Sequence, residues 1–286
     1  MPRRVAANDF REWLRAYGKK RDRNVRVEPG RGRGTGGRQP ALATGGAPAT
    51  GLAVLSLVTV MANIHGMAAG FAYTFDALTD LTTGLLTHLG IDRYAVYVQD
   101  YGAPIGWRLA LRDPAAITAI VTQNGNAYEA GFVESFWSGV FAYQQDPNET
   151  TEAGARQALT LDAIRWQYLT GTSDETLVNP SAWEHDHALV SRPGNDRVQL
   201  ALFSDYATNR PLYPVVHEYF RTSQVPLLAV WGRGDEIFGP DGARAFADDL
   251  PKAEIHLLDG GHFLLESAVG EVAALIRPFL AEVTRG

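Results

Sequence analysis

The sequence predicts an α/β protein: a largely parallel sheet with helices on both faces, interrupted by a long helical insertion. Three observations carry this expectation. Residues 94–98 form a β-branched and aromatic run of strand length, which turns within a few residues into an apolar-periodic helix around Trp107. Residues 226–238 read as a buried strand running into a glycine-bracketed turn, and residues 253–263 as a short strand followed by Gly260-Gly261-His262. Between these two groups lies a largely helical, aromatic stretch of about a hundred residues.

The chain's 286 residues fit one domain carrying an insertion. Residues 1–38 hold 12 of the 26 Lys and Arg and only four acids, a local net charge of +8 that leaves −14 on the remainder. Residues 29–51 are rich in Gly, Ala and Pro and offer little apolar area to offset chain entropy. Residues 1–51 are therefore expected to be disordered or aberrant, as a shifted reading frame upstream of Phe71 would make them. Residues 52–64 are the one upstream run apolar enough for a buried strand, and they lead into His65-Gly66-Met67. That run is about 13 residues, short of the roughly 20 that a membrane span needs, so no stable membrane insertion is expected. The acidic body argues against nucleic acid as a partner.

From Phe71 the pattern is regular. Residues 73–89 space Phe75, Leu78, Leu81, Leu85, Leu86 and Leu89 for one face of a helix. Residues 92–98 are the next strand, 102–112 the helix behind its turn, and 117–123 another strand. Residues 127–224 form the insertion, broken at Asp146-Pro147-Asn148, Asn179-Pro180 and Ser191-Arg192-Pro193-Gly194. The sheet resumes at Val225, and a helix over 270–280 closes the pattern, so the core comprises residues 52–126 and 225–286.

The turn at Gln99-Asp100-Tyr101-Gly102 lifts Asp100 clear of the strand end, beside backbone N–H groups and a helix N-terminus. A glycine at 102 suits close packing of helix on strand. Asp235 and His262 follow two later strands, so all three lie past carboxyl ends of strands, where ligands gather in open α/β sheets. A carboxylate is already ionised at neutral pH and needs no base to attack carbon. An imidazole oriented by a second carboxylate can then activate water.

Gln-Asp-Tyr-Gly-Ala-Pro-Ile-Gly at 99–106, Trp-Gly-Arg-Gly-Asp at 231–235 and Gly-Gly-His-Phe at 260–263 resemble the nucleophile, acid and base loops of the α/β-hydrolase superfamily. With Asp at the elbow, the resemblance is to the branch of haloalkane dehalogenases and epoxide hydrolases, over residues 71–282. It implies Asp100 as nucleophile, Asp235 as acid, His262 as base, and a helical cap at 127–224. It also implies an oxyanion hole from the Tyr101 N–H and from a remnant loop at His65, Gly66 and Met67. The strands normally preceding that loop are missing from the pattern.

The resemblance implies hydrolysis of a small organic substrate through an Asp100 ester, haloalkane dehalogenase-like, with epoxide hydrolysis as the alternative. A halide is best held by indole N–H groups, and an epoxide oxygen by Tyr hydroxyls. The insertion carries both: Trp137, Tyr143, Trp166, Tyr168, Trp183, Tyr206, Tyr213 and Tyr219, of which Trp137 and Tyr206 are the chosen candidates. From another class, the chain reads as an inactive hydrolase-like protein with a disrupted N-terminus. No cofactor is implied, the partners are substrate and water, and the expected location is the cytoplasm. The chain has no cysteine, excluding disulfides and thiolate metal sites. Residues 183–187, with His185 and His187, alternate like a strand or loop and are read as solvated rather than metal-binding.

Overall fold

The computed structural model describes residues 53–57 and 71–284. The expectations for residues 1–51 and for His65, Gly66 and Met67 lie outside the described residues. Five parallel strands form one sheet whose spatial order follows the sequence: β1 (Ala53–Leu57), β2 (Tyr94–Gln99), β3 (Ile117–Gln123), β4 (Leu227–Gly232) and β5 (Glu254–Leu258). Val96 of β2 lies opposite Leu55 and Ile120, and Val121 of β3 opposite Leu228. Parallel neighbours require crossovers. These are α1 (Phe75–Leu89), α2 (Gly102–Arg112), the long helical segment after β3, and α9 (Pro240–Asp249). A terminal helix, α10 (Leu264–Val283), follows β5.

Every residue of β2 and β4 is buried, which explains why these strands read as continuous apolar runs rather than alternating ones. Val96, Val98, Ile120, Ala229 and Trp231 share one core with Trp107 of α2 and Phe246 of α9. Ala95, Tyr97, Val121, Leu228 and Val230 pack on the other face against Leu264, Val272, Ile276 and Phe279 of α10. Each such aliphatic side chain removed from water contributes about 1.5–3 kcal/mol.

The local start and stop signals act as their chemistry dictates. Thr74 caps α1 by accepting from the Ala77 N–H at 3.1 Å, and Gly90 ends it at φ +67°. The expected apolar face of α1 is half right. Phe75, Leu78 and Leu86 are buried, but Leu81, Leu85 and Leu89 are 53%, 51% and 49% exposed. At 100° per residue these last three line a second stripe, and the helix seats the first one. The close helix–strand approach falls at Gly106, where a Cβ would stand 2.5 Å from Val98 Cγ1.

Between β3 and β4 run six helices: α3 (Glu134–Gln145), α4 (Glu149–Arg156), α5 (Leu161–Leu169), α6 (Pro180–Val190), α7 (Asn195–Asp205) and α8 (Tyr213–Ser223). The breaks expected at Asn148 and Asn179 are helix starts, each Asn side chain accepting from the first-turn N–H groups. Residues 183–187 are therefore helical in α6, correcting the strand-or-loop reading: Asn179-Pro180 is an N-cap followed by Pro at the first helical position. α10 is longer than the expected 270–280, kinking at Ala268 and carrying Pro278 inside.

Candidate active site

Asp100 occupies the turn between β2 and α2 at φ +47°, a left-handed conformation that costs a non-glycine residue about 1–3 kcal/mol. The turn is held by the Ala103 N–H donating to the Asp100 carbonyl at 2.9 Å. This geometry presents the carboxylate beside the N-terminus of α2, a favourable place for negative charge. The side chain is buried, with Oδ1 3.5 Å from His262 Nε2 and Oδ2 without a hydrogen-bond partner.

Asp235 lies in the loop after β4, in the tightest carboxylate cradle of the site. Its Oδ1 accepts from the backbone N–H groups of Ile237 at 2.7 Å and Phe238 at 3.1 Å. Its Oδ2 pairs with His262 Nδ1 at 3.0 Å and accepts from Asn124 Nδ2 at 2.7 Å. Two indoles staple the same loop: Trp137 donates to the Ile237 carbonyl at 2.8 Å and Trp231 to the Phe238 carbonyl at 2.7 Å. The single N–H of Trp137, a candidate leaving-group donor, is thus directed at a backbone carbonyl.

Asn124 was not evident from the sequence. It sits just past β3 at φ +49°, and its Oδ1 accepts from the Gly232 N–H and from Gln123 Nε2, at 3.1 and 2.9 Å. Its sequence signal is faint: two amides, Gln123-Asn124, at the carboxyl end of an otherwise apolar strand.

His262 is locked from its backbone as well as its ring. Gln99 Nε2 and Gln123 Nε2 both donate to its carbonyl, at 3.3 and 3.2 Å. The glycines before it allow backbone to meet backbone: a Cβ on Gly261 would fall 1.8 Å from the Thr170 carbonyl oxygen, between α5 and α6. Burial disfavours the charged imidazole, but the Asp235 and Asp100 carboxylates outweigh it and hold the pKa up to about 10. Asp100, His262 and Asp235 thus form one line of contacts from three separate strand ends.

Beside Asp100 a small, mainly apolar pocket is lined by Tyr101, Phe136, Trp137, Gln167, Phe203 and Ile237. Phe136, Gln167 and Phe203 were not singled out from the sequence. Tyr206 packs on Trp137 with ring centroids 4.6 Å apart and lies 6.2 Å from the Tyr101 ring. The hydroxyls of Tyr101, Tyr206 and Tyr213 are buried without a hydrogen bond of regular geometry. Burial, with Tyr213 and Asp100 nearby, pushes the Tyr206 phenol well above its usual range, so it stays a proton donor. The other aromatics stand apart: Tyr168 donates to Asp186 and stacks on Phe263, while Trp166 stacks on Phe136. Among the described residues no group of three metal-ligating side chains occurs, and no helix is long and apolar enough to cross a membrane.

A family model described as the alpha/beta hydrolase fold matches residues 33–269. An uncharacterized hydrolase of Saccharomyces cerevisiae, YNR064C, is 39% identical over 216 residues, covering 74% of each chain. A cis-3-alkyl-4-alkyloxetan-2-one decarboxylase of Shewanella oneidensis is 25% identical over 228 residues, 75% of this chain and 68% of that one. Among solved structures, DbjA superposes with a TM-score of 0.62 at 18% identity, over 76% and 77% of the two chains. An enol-lactonase from Burkholderia xenovorans LB400 does so with a TM-score of 0.57 at 19% identity, over 76% of each.

Proposed function

The chain belongs to the α/β hydrolase fold family, and on that premise we propose that it hydrolyses a small, largely apolar epoxide through an ester on Asp100. The observation that carries this reading is the division of donors around Asp100. The indoles of Trp107, Trp137 and Trp231 are all committed to backbone carbonyls, whereas the Tyr206 and Tyr213 hydroxyls are buried beside each other with no backbone carbonyl as partner. A halide leaves as an anion and wants such indole donors. An epoxide oxygen needs a hydroxyl proton as the ring opens. Halide displacement, the first expectation from the sequence, therefore has less support than ring opening. The Shewanella relative is named for acting on an oxetan-2-one, another strained oxygen ring.

In this mechanism the Asp100 carboxylate attacks a ring carbon, the C–O bond breaks, and Tyr206 protonates the departing oxygen. Ester formation removes the negative charge of Asp100, one of the two charges holding His262 protonated. His262 then releases its proton to restore the Tyr206 phenol and becomes a neutral base. With Asp235 orienting it, His262 takes a proton from water, which attacks the ester carbonyl, and the Tyr101 N–H faces the developing oxyanion. On cleavage of the acyl–oxygen bond His262 protonates the departing alkoxide, freeing the diol, and recovers a proton from the new carboxyl group, which returns Asp100 as carboxylate with one oxygen from water. The assembled contacts of Asp100, His262 and Asp235 favour an enzyme over a silent homologue.

The test is a panel of terminal epoxides, short haloalkanes and nitrophenyl esters, followed by diol, halide and phenolate. Diol formation is expected to dominate, Asp100→Ala to abolish it, and Tyr206→Phe to slow it about 10²-fold. His262→Gln should accumulate a mass increase on the peptide containing Asp100. Dominant halide release overturns the leaving-group assignment, and turnover that survives Asp100→Ala overturns the nucleophile.

A further inference from the structure

We propose that Arg108 is a positioning residue whose buried guanidinium holds the Tyr206 arm over Asp100; this rests on the epoxide reading above. Arg108 lies on α2, two turns behind the elbow, and its side chain is 5% exposed. A cation so placed is tolerated only when its donors are satisfied. Among the described residues its one carboxylate partner is Asp76, at 2.7 Å from Nε and itself largely in solvent. The remaining donors go to neutral oxygens: Nη1 to Asn209 Oδ1 at 2.6 Å and to the Pro104 carbonyl at 3.2 Å, and Nη2 to Thr208 Oγ1 at 2.9 Å.

Thr208 and Asn209 lie two and three residues past Tyr206, in the short helical turn Tyr206–Thr208 and its cap. The fork therefore ties the nucleophile's helix to the turn that carries the proton donor. Phe75 completes the tie. The Arg108 guanidinium stands 5.6 Å over its ring, the ring meets both Tyr101 and Tyr206 edge-on, and its N–H donates to Asp205 Oδ2 at 2.7 Å. None of these bonds reaches the groups that hold Asp235 and His262. Arg108 thus bears on ring opening, which needs Tyr206, and not on water activation. A planar fork suits this place better than an ammonium, which cannot face Asp76, Thr208 and Asn209 together.

The experiment uses the full chain with His262→Gln, in which ester on Asp100 accumulates, and styrene oxide as probe. Adding Arg108→Gln is expected to lower the saturating rate of ester formation about 100-fold, since a misplacement near 1 Å costs that much. The half-saturating concentration of styrene oxide should stay within about twofold. Arg108→Lys should recover part of the rate. Thr208→Val, a milder change that removes one bond, should show the same split with a smaller loss. A fall in affinity equal to the fall in rate overturns the proposal, as does ester formation indifferent to both Arg108→Gln and Thr208→Val. If His262→Gln alone accumulates no ester, the epoxide reading fails and takes the clamp with it.

Discussion

A histidine enclosed by two carboxylates is charged in the resting site and must lose that charge to work as a base. The His262 pKa of about 10 lies above the unfolded value near 6.5. Folding therefore gains stability from binding this proton. The gain is complete below about pH 6.5 and is lost as pH rises through about 10. The thermal midpoint of the chain should fall across that window. Asp100→Asn, which removes one of the two supporting charges, should flatten the fall relative to Asp235-intact wild type, as differential scanning fluorimetry would read. Equal slopes in the two proteins would mean that Asp100 does not hold the proton. Under the proposed mechanism the pH limb of ester hydrolysis should lie well below 10, because an ester on Asp100 would remove that charge from beside His262.

At the scale of elements, the site depends on how closely loops from different strands approach. A Cβ on Gly106 would meet a methyl group of Val98 at 2.5 Å, and a side chain can shift. A Cβ on Gly261 would meet the Thr170 backbone carbonyl at 1.8 Å, and backbone in a packed turn yields far less. Gly106→Ala should cost about 1–3 kcal/mol by overpacking. Gly261→Ala should cost more than Gly106→Ala and reduce turnover further, since it displaces the loop carrying His262. Urea denaturation of the two variants beside wild type checks the order. A reversed order would show that the helical segment between β3 and β4 gives way freely at Thr170. Asn124 belongs to this scale too, because its strained backbone and three side-chain hydrogen bonds join the ends of β3 and β4 around Asp235.

For the whole molecule, the two stripes of α1 separate packing from apolar content. Leu78 and Leu86 are buried in the main core, while Leu81, Leu85 and Leu89 are about half exposed. Leu78→Ala and Leu86→Ala should each destabilise by about 2–5 kcal/mol. Leu81→Gln and Leu85→Gln should stay within about 0.5 kcal/mol of wild type. Chemical denaturation midpoints distinguish the two groups. A large loss at Leu81 or Leu85 would show that the second stripe is covered in solution.

The sequence by itself determined the α/β class, the positions of β2, β3 and β4 within about two residues, and the convergence of Asp100, Asp235 and His262 at strand ends. Each of these is written in a short window: a β-branched run, a glycine-bracketed turn, a polar residue at the carboxyl end of a strand. The helix over 180–190 was also written locally, in Asn179-Pro180, and was misread because the alternation of 183–187 was weighed above the cap. Only the tertiary structure decided which stripe of α1 is buried and which aromatic donors are taken up by backbone carbonyls. Trp137 and Tyr206 looked equivalent along the chain. Trp137 is spent on the Ile237 carbonyl 100 residues away, and Tyr206 is not. The physical reason is that turn and strand propensities arise from neighbours in sequence, whereas a side chain's hydrogen-bond partner is chosen by whatever the fold brings against it.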